Sequence, residues 1–369
     1  MAQGKLKPLS LCEKESLTKW TYPSSVALNG FAKEDDMSIR LGVVGAGIAS
    51  RELHLPALME LKDLFTITAV NSRTRKKAEE FADLVGGKIK VFDSYEEILY
   101  SDDVDAIVLA VPIALNPEMI VAARTAEKPV ICEKPIAASV KEGLSLLNLP
   151  GNSPVYIAEN YRHIEVYTKA SEFVREGRIG KPIIFSWLKW VDFGLDNKYV
   201  QTKWRQAPKH VGGFISDGGV HDIAALRKIL GNVREVSGFS EKNLDYLGAE
   251  NSVVFNMTLG EGVIGNYSVV YGAPATLNRL EIVGTEGLLR VDKDEATIEI
   301  EAHGREKFYA NNSDGFVEEF TDFYRVIKGQ KNSLGSIREA ILDLATVEAG
   351  LISANEKRVV IVDSLIVES

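Results

Sequence analysis

The chain has 369 residues, 45% hydrophobic and 26% charged, which suits two domains and excludes collagen-like, low-complexity and disordered classes. Its formal net charge of −9 sets the average surface against nucleic acid and anionic membranes, so neither is expected as a partner. The longest apolar run, 107–115, is strand-length and interrupted by Pro112, so no segment reads as a membrane span. Cys12 and Cys132 do not make a disulfide framework and suit a reducing, cytoplasmic compartment. The histidines are scattered without ligand-like spacing, and no metal is expected.

Residues 1–37 lack the apolar core of a signal peptide, and Glu13, Glu15, Glu34, Asp35 and Asp36 argue against a transit peptide. The segment reads either as an extension packed on the body or as a mobile tail. From 38 to 160, strands predicted at 39–44, 65–70, 88–92, 105–110, 129–133 and 154–158 alternate with helices at 49–61, 73–84, 95–100, 118–126 and 140–147. That alternation implies a parallel sheet with right-handed crossovers, wound on both faces: a Rossmann-type α/β domain. The rhythm changes over 161–369. A helix at 165–176 ends at Gly177, a strand follows at 183–191, and a helix at 221–230 stops at Gly231. Strands at 252–259, 262–271, 279–283, 288–291 and 297–301 are joined by short glycine-containing turns, which favour antiparallel pairing. Helices at 316–327 and 336–354 and a strand at 358–362 close the chain. The fold class is α/β, with an α+β second domain built on a large, mainly antiparallel open sheet. That domain is expected to bind substrate and to mediate self-association.

Gly45-Ala46-Gly47-Ile48-Ala49-Ser50 follows a predicted strand and opens a predicted helix, the setting in which a glycine loop cradles a pyrophosphate. Gly45 makes the tight turn, Gly47 lets the ligand approach the backbone, and the amides of Ile48 and Ala49 begin the helix. Ser50 stands at the third glycine position and is still small enough for close packing. An acid normally ends the second strand to bind a ribose 2′-hydroxyl. Here Asn71-Ser72-Arg73-Thr74-Arg75-Lys76-Lys77 has none before Glu79. Cations in the first turn of a helix oppose its dipole, and a bound 2′-phosphate would relieve that conflict. Ser72, Arg73 and Lys76 therefore point to NADP(H) as the cofactor, against the alternative of a solvated charge run.

Cys132-Glu133-Lys134-Pro135 ends the fifth strand, and ligands of open α/β sheets bind beyond the carboxyl ends of the strands. Position alone leaves Lys134 as either a nicotinamide-side residue or a surface lysine. The glycine loop, Glu133-Lys134-Pro135 and the segment Gly212-Gly213-Phe214-Ile215-Ser216-Asp217-Gly218-Gly219-Val220-His221 occur in that order. Together, over residues 38–369, they resemble the glucose-fructose oxidoreductase/inositol dehydrogenase (Gfo/Idh/MocA) family. The stretch 198–206 resembles a fungal-type branch of NADP(H)-dependent members. The resemblance implies that Lys134, Asp217 and His221 are catalytic and that Glu133 and Lys134 contact the cofactor. It also implies a homodimer or homotetramer.

Spacing alone leaves Asp217 as a helix cap and His221 as a packed side chain. On a helix, residues four apart share a face, so the resemblance suggests that Asp217 orients the imidazole. Glu159-Asn160-Tyr161-Arg162 follows the sixth strand, and the resemblance implies that this edge, with Asn160 and Arg162, faces substrate or nicotinamide. Trp204 and Arg205 read either as a sugar-stacking and hydrogen-bonding pair or as core and ion-pair residues. His54 reads as structural, and Asn116 stands where family members often carry a histidine. The expected activity is hydride transfer between NADP(H) and a small aldehyde, ketone, sugar or polyol, in the reductive direction. Two alternatives are a non-catalytic NADP(H) sensor and a redox-assisted glycosidase.

Overall fold

Short runs of β-branched and aliphatic residues, buried on both faces, build the first sheet, as expected where helices cover both sides. The computed structural model describes residues 38–367. The expectation for 1–37 lies outside those residues. Strands β1 (Ile39–Val44), β2 (Phe65–Asn71), β3 (Lys90–Phe92), β4 (Ala106–Leu109), β5 (Val130–Glu133) and β6 (Val155–Ala158) form a six-stranded sheet in the order β3-β2-β1-β4-β5-β6. Its pairings are all parallel. The reversal of strand order beside β1 is the switch point where such sheets open a ligand crevice.

The crossovers carry α1 (Leu55–Glu60), α2 (Arg75–Val85), α3 (Tyr95–Leu99), α4 (Asn116–Thr125) and α5 (Val140–Leu144). A π-type turn, Ser50–His54, precedes α1, where Pro56 supplies no amide hydrogen to continue a regular ladder. Helix α2 begins two residues later than its sequence predicts, because Thr74 is extended at φ −106° and ψ 105°.

The second sheet has nine strands: β7 (Pro182–Val191), β8 (Val233–Glu241), β9 (Ser252–Leu259), β10 (Ile264–Tyr271), β11 (Leu277–Gly284), β12 (Leu288–Asp292), β13 (Thr297–Glu301), β14 (Arg305–Tyr309) and β15 (Val360–Ile361). Their order is β14-β13-β12-β11-β7-β10-β9-β8-β15. All of its pairings are antiparallel except β7 with β10. Two strands escape the sequence pattern. In β8 the apolar positions Val233, Val236 and Phe239 do not alternate, and a bulge between Val233 and Glu235 resets the register. In β14 the run Arg305–Tyr309 is mostly charged and exposed, as an edge strand tolerates.

Helices α6 (Glu165–Arg175), α7 (Lys203–Gln206), α8 (Phe214–Leu230) and α10 (Ile337–Glu356) belong to this half of the chain. Helix α8 starts seven residues before its predicted onset, running through Gly218 and Gly219, whose low helix propensity hides the first two turns. Helix α9 (Phe316–Ile327) returns to the first sheet, where Phe320, Phe323 and Tyr324 pack around Phe65.

Candidate functional site

Gly45 follows β1 at φ +98°, and a Cβ there would lie 2.2 Å from the Ala110 carbonyl oxygen, so the turn admits only glycine. A Cβ on Gly47 would meet nothing within 4 Å. Gly47 thus leaves an open face in front of the amides of Ile48 and Ala49, the cradle a pyrophosphate requires. Ser50 is buried and donates its hydroxyl to the Gly45 carbonyl, so the third small residue braces the loop. The Gly45 N–H donates to Asn71 O at 2.8 Å, which ties the loop to the end of β2, directly before Ser72 and Arg73. Arg75 is engaged by Glu79 and Asp93. Arg73 and Lys76 are exposed and form no ion pair among the described residues. With the later start of α2, Arg73 lies ahead of the helix and Arg75, Lys76 and Lys77 occupy its first turn. The glycine loop and the helix start behind it fit the pyrophosphate of a nicotinamide dinucleotide.

The carboxyl ends of β5 and β6 face α8 across a cleft of about 360 Å³. Of the residues singled out in the sequence, Ala49, Glu133, Lys134, Asn160, Arg205, Asp217 and His221 line it. Lys134, next after β5, donates from Nζ to the Asp217 carbonyl oxygen at 2.6 Å and to Oδ1 at 3.4 Å. Arg205 Nε donates to the other carboxylate oxygen, Oδ2, at 2.6 Å. Burial acts to raise the Asp217 carboxyl, but Lys134 and Arg205 outweigh it and hold it well below the usual carboxylate range.

Asp217 does not orient His221. That expectation is corrected by Glu159, whose Oε1 lies 2.6 Å from His221 Nδ1. Early helix onset does put Asp217 and His221 on one face of α8, yet two cations from other elements capture the carboxylate first. Burial would raise the Glu159 carboxyl, but His221, Arg162 and Lys134 hold it below the usual range. An ionised Glu159 accepts from Nδ1–H, which leaves Nε2 as the ring nitrogen free for a ligand. The imidazole also stacks on Tyr161, with centroids 4.6 Å apart. In sequence Glu159 is one of the four residues after the sixth strand, with no role of its own assigned; its partner lies 62 residues away.

Glu133 is held by His54, Oε1 to Nε2, at 2.6 Å, and His54 is buried against Phe316 and Phe320. The structural reading of His54 therefore extends to bracing the β5 terminus. Asn116 Nδ2 donates to Glu133 O at 2.9 Å and Pro135 O at 2.8 Å, so it anchors the turn that carries Lys134.

Arg162 is corrected: it does not reach the cleft. It is buried and paired with Asp343, which also binds Arg227. The turn Asn160–Arg162 sends Asn160 to the cleft and Arg162 into the core. Trp204 is also outside the lining; its ring lies 4.0 Å below the Arg205 guanidinium and supports it.

Behind the two Glu–His pairs, Glu319 is fully buried and neither carboxylate oxygen has a hydrogen-bond partner. Burial, reinforced by Glu133 and Glu159, pushes its carboxyl well above the usual range, so it stays protonated. The native state then holds this proton more tightly than the unfolded chain. Its stabilising share is complete below the ordinary carboxylate range and is lost as pH rises toward the elevated value. Glu319→Gln removes that penalty and is expected to raise Tm at pH 8 by about 2–4 °C, with little change at pH 4. Thermal melts at both pH values check this; a lower Tm at both would mean the acid makes stabilising contacts.

Residues 39–161 match the model of an oxidoreductase family with an NAD-binding Rossmann fold. Residues 167–290 match the Gfo/Idh/MocA C-terminal domain. The chain belongs to the Gfo/Idh/MocA oxidoreductase family. Among its relatives, an uncharacterized protein of Saccharomyces cerevisiae is 33% identical over 86% of this chain and 96% of its own. A 1,5-anhydro-D-fructose reductase of Ensifer adhaerens is 25% identical over 83% of this chain and 93% of its own. The crystal structure of an oxidoreductase from Thermotoga maritima superposes with a TM-score of 0.84 at 44% identity, covering 89% of this chain and 99% of that one. Both sheets are thus those of a Gfo/Idh/MocA oxidoreductase. No described helix is long and apolar enough to cross a membrane.

Proposed function

We propose that this Gfo/Idh/MocA protein is an NADP(H)-dependent reductase of small, hydroxyl-bearing carbonyl compounds. The observation that carries the reading is the meeting of Lys134 and His221 in one cleft, Lys134 held chiefly by the Asp217 backbone carbonyl and His221 by the buried Glu159 carboxylate. A bound nicotinamide would supply the hydride. Lys134 donates a hydrogen bond to the substrate oxygen and stabilises the negative charge that develops on it. His221 delivers a proton from Nε2 to that oxygen, and Glu159 stabilises the ring in its protonated form. Asp217 holds Lys134 and Arg205 in place and keeps the local charge balanced. Asn160, which lines the cleft and donates to Asp314 O at 2.7 Å, sits on the substrate side. Ser72, Arg73 and Lys76 bind the adenosine 2′-phosphate, and the loop Gly45–Ala49 holds the pyrophosphate.

The test is NADPH oxidation by purified protein against aldehydes, ketones, dicarbonyls and sugars, with NADH in parallel. Turnover that prefers NADPH is expected, and Arg73→Ala should reduce that preference by about tenfold through loss of one charge-assisted hydrogen bond. Unchanged preference in Arg73→Ala removes the phosphate assignment. NADPH binding with no reduction across the panel points instead to a sensor.

The outer face of the second sheet exposes Ile184, Leu188, Trp190, Phe239 (75% exposed), Val254 and Ile264 (51%). Such a contiguous apolar face supports self-association of the chain through this sheet. Light scattering that returns a monomer mass would exclude it.

A further inference from the structure

We propose that Tyr161 is a positioning residue for proton transfer: its ring fixes the plane of the His221 imidazole and so aims Nε2 into the cleft. The inference rests on the preceding reading of His221 as the proton carrier and adds the residue that orients it.

A hydrogen bond secures an imidazole at one atom only. Glu159 Oε1 holds Nδ1 at 2.6 Å, and about that contact the ring can still tilt, carrying Nε2 with it. The helix that bears His221 supplies nothing against the ring faces. Residues three and four positions away on α8 share its face. Of these, Gly218 has no side chain, Ala224 and Ala225 are small, and Asp217 is taken by Lys134 and Arg205. The ring must therefore be held from another element.

That element is the single turn Asn160–Arg162 after β6. Its three side chains diverge: Asn160 goes to the cleft, Arg162 to Asp343 in the core, and Tyr161 to the face of His221. The two rings are stacked, with centroids 4.6 Å apart and planes inclined by 22°. The Tyr161 backbone N–H donates to Glu159 Oε1 at 3.2 Å, the same oxygen that lies against His221 Nδ1. One residue thus holds the carboxylate by its backbone and the imidazole by its ring.

A platform works only if it is itself fixed. Tyr161 and His221 end a column of rings that starts in the core of the second sheet. Trp187, fully buried, packs on Tyr167 with centroids 5.6 Å apart, and Tyr167 packs on Tyr161 at 5.5 Å. Lys189 Nζ lies 5.3 Å and Lys293 Nζ 6.0 Å from the Tyr161 ring centroid. Each ammonium is anchored in turn, Lys189 by both oxygens of Asp222 at 2.7 and 2.9 Å and Lys293 by Asp314 at 3.5 Å. Tyr161 is half-buried and lines the cleft, so a smaller side chain there would leave the imidazole face unsupported. These contacts are made by the ring and the backbone, and phenylalanine keeps both.

The experiment compares Tyr161→Phe, Tyr161→Leu and His221→Gln in NADPH oxidation on the best panel substrate, with proton NMR of the histidine rings. In the wild-type protein the carbon-bound ring protons of His221, assigned by their loss in His221→Gln, are expected upfield of free histidine because they lie over Tyr161. Tyr161→Leu should move them downfield. It should also lower kcat about 10- to 100-fold, the cost of misplacing a reacting group by up to about 1 Å, with KM within about threefold. Tyr161→Phe should keep the upfield position and a kcat within about threefold of wild type. Wild-type His221 signals at the free-histidine position would overturn the proposal, whether or not Tyr161→Leu folds. A wild-type kcat in Tyr161→Leu, with KM unchanged or raised, would overturn it too, as would a Tyr161→Phe as impaired as Tyr161→Leu. If His221→Gln is inactive, any of those results removes Tyr161 alone. An active His221→Gln would instead remove the reading of His221 as the proton carrier.

Discussion

Lys134→Ala is expected to lower kcat about 10³-fold while leaving the NADPH Kd within a few-fold of wild type. Lys134 is the cation that ends β5 and points into the cleft, with Nζ held 2.6 Å from the Asp217 carbonyl oxygen. In a cleft of low dielectric, one positioned donor to a developing oxyanion contributes about 10²–10³ in rate. The variant should still fold, because Asp217 keeps Arg205 at 2.6 Å and is not left as an unpaired buried charge. The measurement is steady-state NADPH oxidation on the best panel substrate, with cofactor binding followed separately by fluorescence. A kcat within tenfold of wild type, at unchanged cofactor affinity, would remove Lys134 from the chemistry.

The second large effect is expected at Glu159. Glu159→Gln replaces an ionised acceptor of His221 Nδ1 with a neutral amide, and kcat should fall about 10²-fold or more. Asp217→Asn discriminates between the two carboxylates. The His221 Nδ1 proton held by Glu159 is expected as a downfield resonance in proton NMR that is lost in Glu159→Gln and kept in Asp217→Asn. Loss of that resonance in Asp217→Asn, and its persistence in Glu159→Gln, would restore the assignment that spacing on α8 suggested.

These two predictions also mark the line between local and long-range information. The βαβ rhythm, the glycine loop after β1, the missing acid after β2 and the lysine at the end of β5 are all legible along the chain. Each depends on backbone conformation or side-chain periodicity within about a dozen residues. The second sheet was legible as a type but not in its details. Its parallel β7–β10 pair joins segments separated by the whole of α8, β8 and β9, and β8 hides behind a bulge.

The pairing of charges inside the cleft was out of reach of any local pattern. Glu159 and His221 are 62 residues apart, Lys134 and Asp217 are 83 apart, and Arg162 and Asp343 are 181 apart. A carboxylate four residues from a histidine has the right spacing on a helix, but it goes to whichever cation the fold brings nearer. Buried charges must be satisfied, and in the interior the choice of partner follows from which elements pack together. The chain's own order thus supplies the cofactor loop and the candidate lysine. Packing of α8 against α10 and the turn Asn160–Arg162 brings His221 to Glu159 and turns Arg162 to Asp343.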